Sequence, residues 1–402
     1  MGHTQSAPEL RATVPLPAGK LKTLGARLQG AGVLLLAASS AGAWGSPKEF
    51  FHSWLFSFFF FFSLCAGALF WVLLHYVTNA GWGVLLRRQM ENVASLFPWI
   101  GLLFLPILLD AFWGHHLYSW TSPALAHDRA LLAKSAYLNL PFFGIRAVFY
   151  FLFWIAAARF LWNGSRIQDG DGDPWHTVRM QKWSYGLLVI YGACMTFAAI
   201  DWLMGLDFRW GSTLWGGFVF VGAAGASLAL WTLIILWLRG GGYLPQVNEE
   251  HLHLLGKLLF AFTALWGYFA FSQYMLIWYG NIPEETYFFI QRNFGSWNAF
   301  AIGLVLGRFF VPFLLLLPQG TKRNPKTLGF AAFWVLLMQA AELYWLILPA
   351  VFEKAAAIGI LEVAVWAGMG CLMAGAFLRR LVSCELYPTH DPRLPESREV
   401  VS

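Results

Sequence analysis

The sequence predicts an all-α integral membrane protein of ten transmembrane helices. Three observations predict it: ten apolar stretches of spanning length, 58% hydrophobic residues against 12% charged, and a positive mean hydropathy. A helix needs about 20 mostly apolar residues to cross the hydrocarbon core. Inside lipid the backbone must satisfy its own hydrogen bonds, so unbroken segments of this length read as helices.

The spans are predicted at 28–45, 50–77, 93–114, 140–162, 184–205, 213–238, 255–280, 296–317, 327–350 and 356–380. The first is the shortest and is rich in Ala and Gly, as a signal peptide would be. The 27 residues before it are long for an n-region, so it is read as a membrane helix, flanked by tails at 1–27 and 381–402. Seventeen Lys and Arg fall on the side of the two tails and six on the other, with Arg146, Arg159, Lys257 and Arg308 inside helices. This bias predicts that both termini are cytoplasmic. The net charge of +6 then reflects topology and anionic lipid headgroups rather than nucleic acid.

Several chemistries have no residues to carry them. Cys65, Cys194 and Cys371 fall in the spans and Cys384 just beyond them, with no C-x-x-C-H and no cluster-binding run. A bis-His haem needs imidazoles at matched depth, but His75 lies at one end of its span and His115 and His116 at the opposite end of theirs. The chain is therefore expected to hold no redox metal. Asp169-Gly-Asp171-Gly-Asp173, in the predicted 163–183 loop, lacks the spaced Glu of an EF-hand and reads as a solvated turn. No P-loop, nucleophile elbow or zincin motif occurs. The 22 Trp and 37 Phe read mostly as lipid-facing bulk and interface belts.

What remains is a set of ionisable groups inside the spans. Each costs about 2.5–3.5 kcal/mol near mid-bilayer and so needs a partner or a task. At 1.5 Å per residue, Asp110 and Asp201 sit within about one turn of the outer surface. By the same rise, Arg146 and Glu362 lie roughly 9 Å in, Glu342 roughly 12 Å and Arg308 roughly 18 Å. His75, Arg159 and Lys257 occupy the inner half, the last two as snorkelling ends. Two readings stay open. Asp110, His115, His116, Arg146, Asp201, Glu342 and Glu362 form an outer proton path with His75 in an inner half. Alternatively, Arg308 and Glu342 neutralise each other, and Asp110, Asp201 and Arg146 are anchors or salt-bridge partners. Gln339, one turn before Glu342, makes that face polar. A secondary carrier is the competing class, but no pair of Gly/Pro-broken helices stands at matching positions.

At these residues the chain resembles a family. The runs FPWIGLLFLPILL (97–109), HHLYSW (115–120), PFFGIRAVFYFLFW (141–154), FAAIDWLMGLD (197–207), LGKLLFAFTALWGYFAFSQYMLIWYGNIPEE (255–285), VPFLLLLP (311–318) and KRNP (322–325) carry the likeness. It is to the ActF-like second large membrane subunit of alternative complex III, the bacterial quinol:electron-acceptor oxidoreductase. The wider family is the polysulfide-reductase-type (NrfD-like) membrane subunits. The resemblance covers roughly residues 50–350. It implies two four-helix bundles, helices 2–5 and 6–9, flanked by helices 1 and 10. It implies a bacterial inner-membrane location and a role in handling protons or quinone, or as a scaffold. The implied partners are a sibling ten-helix quinol-binding subunit, a periplasmic iron–sulfur subunit, and multihaem and monohaem cytochromes c. Haem c and iron–sulfur clusters would thus sit in partners, with quinone or quinol the one cofactor this chain could meet. Many relatives place a histidine four residues before the proline corresponding to Pro312, where this chain has Arg308.

Overall fold

A computed structural model describes residues 14–352 and 355–401. Arg11 and Lys354, two of the charges in the topology count, lie outside the described residues. The fold is 80% helix, and no strand occurs among the described residues.

Ten long helices follow one another: α1 (Ala18–Ser39), α2 (Pro47–Val77), α3 (Val84–Gly114), α4 (Leu140–Asp171), α5 (Trp175–Leu206), α6 (Trp215–Gly240), α7 (Glu249–Gly280), α8 (Ser296–Leu316), α9 (Pro325–Ala350) and α10 (Ile360–Leu381). Among the described residues nine of them, α2 to α10, are long and apolar enough to cross a membrane. The chain is thus of multi-pass membrane type. Residues 18–39 replace the expected 28–45: α1 starts ten residues earlier, taking in Lys20, Lys22 and Arg27, and the chain turns at Ser40 and Ala41.

α2 and α6 are the central pair. Of their most apolar windows 89% and 78% is buried, against 28% for α7 and α8. A Cβ on Gly67 would collide with the Ala223 carbonyl oxygen, so glycine is what lets these backbones meet. An indole N–H locks the contact, Trp71 donating to the Ala224 carbonyl at 3.0 Å, and Trp231 ties α6 to the start of α3 through the Leu86 carbonyl at 2.9 Å. α2 packs on α3, α4, α5 and α10, and α6 on α5, α7 and α9. α1 lies antiparallel along α10, where Gly25 meets Gly375 and Gly32 meets Gly368.

The aromatic residues are not mainly lipid-facing, contrary to the expectation. Trp71, Trp154, Trp202, Trp210, Trp215, Trp231 and Trp297 are among the largest fully buried side chains. Trp202 stands at the centre of one cluster, with ring centroids 4.7 Å from Phe104 and 5.1 Å from Phe62. Without a hydrophobic force between helices in lipid, such close packing supplies much of the cohesion.

The chain alternates between two faces. One, here the terminal face, holds residue 14 (hydrogen-bonded to Gly242) and the 384–398 segment, which lies against residues 82–91. The opposite face holds the 115–139 and 281–295 connections. Several helices outrun their predicted ends on the terminal face: α3 begins at Val84 instead of 93, α4 runs to Asp171 and α5 starts at Trp175. The 163–183 loop therefore shrinks to a turn around Gly172, whose φ of +70° suits glycine.

Candidate functional site: buried charges on two faces

Arg146 on α4 and Asp201 on α5 form a two-bond fork, Nε to Oδ2 at 2.9 Å and Nη2 to Oδ1 at 2.8 Å. Tyr150 adds a third donor to Asp201 at 3.0 Å, and Arg146 Nη1 donates to the Tyr137 carbonyl. The guanidinium also stacks 3.9 Å from the Tyr137 ring centre. Planar delocalised charge on an aromatic face is what arginine offers and lysine does not.

Asp110 does not join this pair. It opens a π-turn, Asp110–Gly114, that ends α3, and its carboxylate gathers the chain that follows. Oδ1 is 2.8 Å from His116 Nδ1, and Oδ2 accepts the Leu117 N–H at 2.8 Å. Asp110 is buried while the His116 side chain is 38% exposed, so the pair reaches from surface to interior. His115, at φ +60°, turns the other way and pairs with Thr121 Oγ1 at 3.0 Å. Tyr118 sits between the two acid sites. Burial first, then Asp201 and Asp110, push its phenol far above the ordinary value.

Arg308 and Glu342 meet in the other half. Pro312 cannot donate to the carbonyl four residues back, and the helix widens there into a π-turn, Leu306–Phe310, that carries Arg308 inward. Arg308 Nη2 lies 3.0 Å from Glu342 Oε2 and 2.5 Å from Gln339 Oε1, while Trp266 Nε1 donates to Glu342 Oε1 at 2.6 Å. Arg308 and Glu342 are thus the ion pair that depth counting offered. Counting helices from α2 and from α6, both pairs join an arginine on the third helix to an acid on the fourth.

Glu362 and His75 stand apart from these groups. Glu362 caps its own helix, accepting from Gly359 N–H at 2.8 Å, and takes the Ser53 hydroxyl at 2.7 Å. His75, at the terminal-face end of α2, bonds the Trp71 carbonyl through Nδ1 at 2.7 Å and lies against the Trp82 and Trp231 rings.

Sequence reasoning missed a second charged centre on the terminal face. Arg87, Arg88, Gln89, Glu91 and Asn92 precede the predicted span at 93–114, yet every residue of Val84–Ala94 is buried. Arg87 bridges Glu91 at 3.0 Å and Asp391 at 2.7 Å, and Arg88 bridges Glu91 at 3.0 Å and Asp169 at 2.7 Å. Arg87 and Arg88 are therefore not loop charges, and Asp169 is no solvated turn residue. The i, i+3 and i, i+4 spacing to Glu91 was the available signal.

Among the described residues no group of three or more His, Cys, Asp or Glu comes together so as to hold a metal ion. No protein-family model matches the chain, and no curated protein matches it.

Proposed function

We propose that this chain is an integral subunit of a bacterial quinol:electron-acceptor oxidoreductase of the alternative complex III type, holding no redox metal and handling protons. The observation that carries the reading is the repeated arginine–carboxylate pair, Arg146–Asp201 and Arg308–Glu342. Buried charges of this kind persist in lipid where they have a partner and a task.

In this reading all ten helices cross the inner membrane and both termini are cytoplasmic. α2–α5 and α6–α9 are two four-helix bundles flanked by α1 and α10. The length of α1 and its contact along α10 support a tenth crossing. Electrons pass through partners: a sibling quinol-binding subunit, an iron–sulfur subunit and cytochromes c. Protons are handled on the opposite face, where exposed His116, Asp110, Tyr118 and Asp201 follow one another inward. Glu342 and Glu362 would belong to the same outer half, and His75 to the inner half.

Purifying the tagged protein in mild detergent tests the assignment. Haem absorbance eluting with it in fixed ratio is expected, and a colourless monomer would overturn it. In the purified complex, His116→Ala should lower proton translocation while quinol oxidation continues. A purely structural scaffold is the second reading, favoured because Glu342 and Glu362 already have bonding partners. Unchanged translocation in His116→Ala and Asp201→Asn complexes would select it.

A further inference from the structure

Three arginines toward the terminal face gather around one buried indole with no acid among them. Arg159, Trp162 and Arg166 stand at i, i+3 and i+7 of α4 and so share one side of that helix. Arg380 reaches the same ring from the end of α10. The Arg166 guanidinium carbon lies 4.4 Å from the Trp162 ring centre, and that of Arg380 lies 4.3 Å from it. Arg159 stands near enough for its charge to act on Arg380 together with that of Arg166. The ring itself is fixed, donating through Nε1 to Asn92 Oδ1 at 3.0 Å.

Like charges held this close repel, and the nearest acids are already engaged. Glu91 and Asp169 bridge Arg87 and Arg88. Among the described residues none of Arg159, Arg166 and Arg380 forms an ion pair. The Trp162 ring occupies the flat side of two guanidinium groups and leaves their N–H edges for an acceptor. Both surround one ring, so a single phosphate at its edge can reach both, and the guanidinium fork matches phosphate oxygens.

The surroundings suit a lipid. A tryptophan of this kind marks the headgroup level of a bilayer. The start of α3 packs against both α4 and α10 and lies between them. From there α3 continues toward the opposite face with Leu102, Leu105 and Leu109 exposed, an apolar track for acyl chains. A soluble phosphate ester would make no use of that track.

We propose that this cluster binds the phosphate of an anionic phospholipid between Arg166 and Arg380, with Arg159 adding charge and the acyl chains lying along α3. Basic pockets between transmembrane helices recognise such heads. A zwitterionic head brings its own cation, which three arginines repel, so phosphatidylglycerol and diphosphatidylglycerol bind ahead of phosphatidylcholine. The inference stands on the cluster and does not require the respiratory assignment.

The test purifies the full chain in mild detergent, strips its lipid, and counts bound molecules by native mass spectrometry. Phosphatidylglycerol, diphosphatidylglycerol and phosphatidylcholine are titrated, with glycerol phosphate as a soluble competitor. The two anionic lipids should bind roughly tenfold more tightly than phosphatidylcholine. Arg159→Gln, Arg166→Gln and Arg380→Gln should each weaken them roughly fivefold, and the three together roughly a hundredfold. Arg179→Gln, which removes an exposed cation of α5, should bind as the parent does. Displacement of the lipid by glycerol phosphate at equal concentration would overturn the lipid as the source of the phosphate. Equal binding of anionic and zwitterionic lipid by the parent, or a triple variant that keeps the preference, would overturn the site. The parent measurement needs no variant to fold, and no outcome depends on whether haem co-purifies.

Discussion

Gly25 on α1 and Gly375 on α10 face each other with no room for a side chain. A Cβ on Gly375 would lie 2.5 Å from the Gly25 carbonyl oxygen, and one on Gly25 2.9 Å from that of Gly375. Seven residues along each helix, Gly32 and Gly368 repeat the contact. Gly375→Leu should therefore part the helices, because overpacking of this kind costs about 1–3 kcal/mol even where neighbours can shift. Cysteines at Gln29 and Arg379, whose long side chains meet at 2.8 Å, should be joined by a short bifunctional thiol reagent in the parent and not in this variant.

Topology is open to direct labelling. Ser46, in the connection before α2, and Lys326, in the first turn of α9, are exposed at opposite faces. Single cysteines there should react with a membrane-impermeant reagent from opposite sides. Labelling from the same side would overturn the alternation of helices.

The Arg308–Glu342 pair predicts that Glu342→Gln destabilises the protein. Removing one partner leaves a buried charge uncompensated, at roughly 3–5 kcal/mol. Arg308→Met combined with Glu342→Leu should recover much of the loss, seen as thermal stability in detergent. A stable Glu342→Gln protein would mean that the pair is dispensable.

Asp391→Ala should loosen the terminal face by the same logic, since its 2.7 Å contact with Arg87 is buried on both sides. Limited proteolysis should then cut between residues 384 and 398 while α2 and α6 stay intact.

A pH effect is expected at Asp128. Its bond with Arg209 at 2.8 Å holds the carboxyl below its ordinary value, and the Leu131 and Ala130 N–H groups assist. The folded value lies below the unfolded one near 3.8, so the stabilisation is present above that pH and is lost as pH falls through the folded value. Protection of the Ala130 and Leu131 amides against hydrogen exchange should drop there. Asp128→Asn should remove the pH dependence.

Hydropathy located nine helices well because a continuous apolar run is its own signal. It failed at the terminal face, where Arg87, Arg88 and Glu91 look like water-facing residues. Their burial rests on Asp169 and Asp391, 81 and 304 positions away from the arginines that hold them. Lys20, Lys22 and Arg27 hid the start of α1 in the same way. Depth counting brought Arg308 near Glu342 because both lie on neighbouring helices. It could not foresee Ser53 for Glu362, since a serine on another helix carries no charge to announce it.

The charged cluster at the start of α3 also sets an order of events. During synthesis Arg87 emerges long before Asp391, and Arg88 before Asp169. Until those acids arrive, two cations share Glu91 in a segment destined for the interior. Closure of this face must then be a late step, completed once the 384–398 segment has been made and docked. A chain released before that point would hold Arg87 with Glu91 as its one acidic partner among these contacts, on a helix face left uncovered by the missing segment.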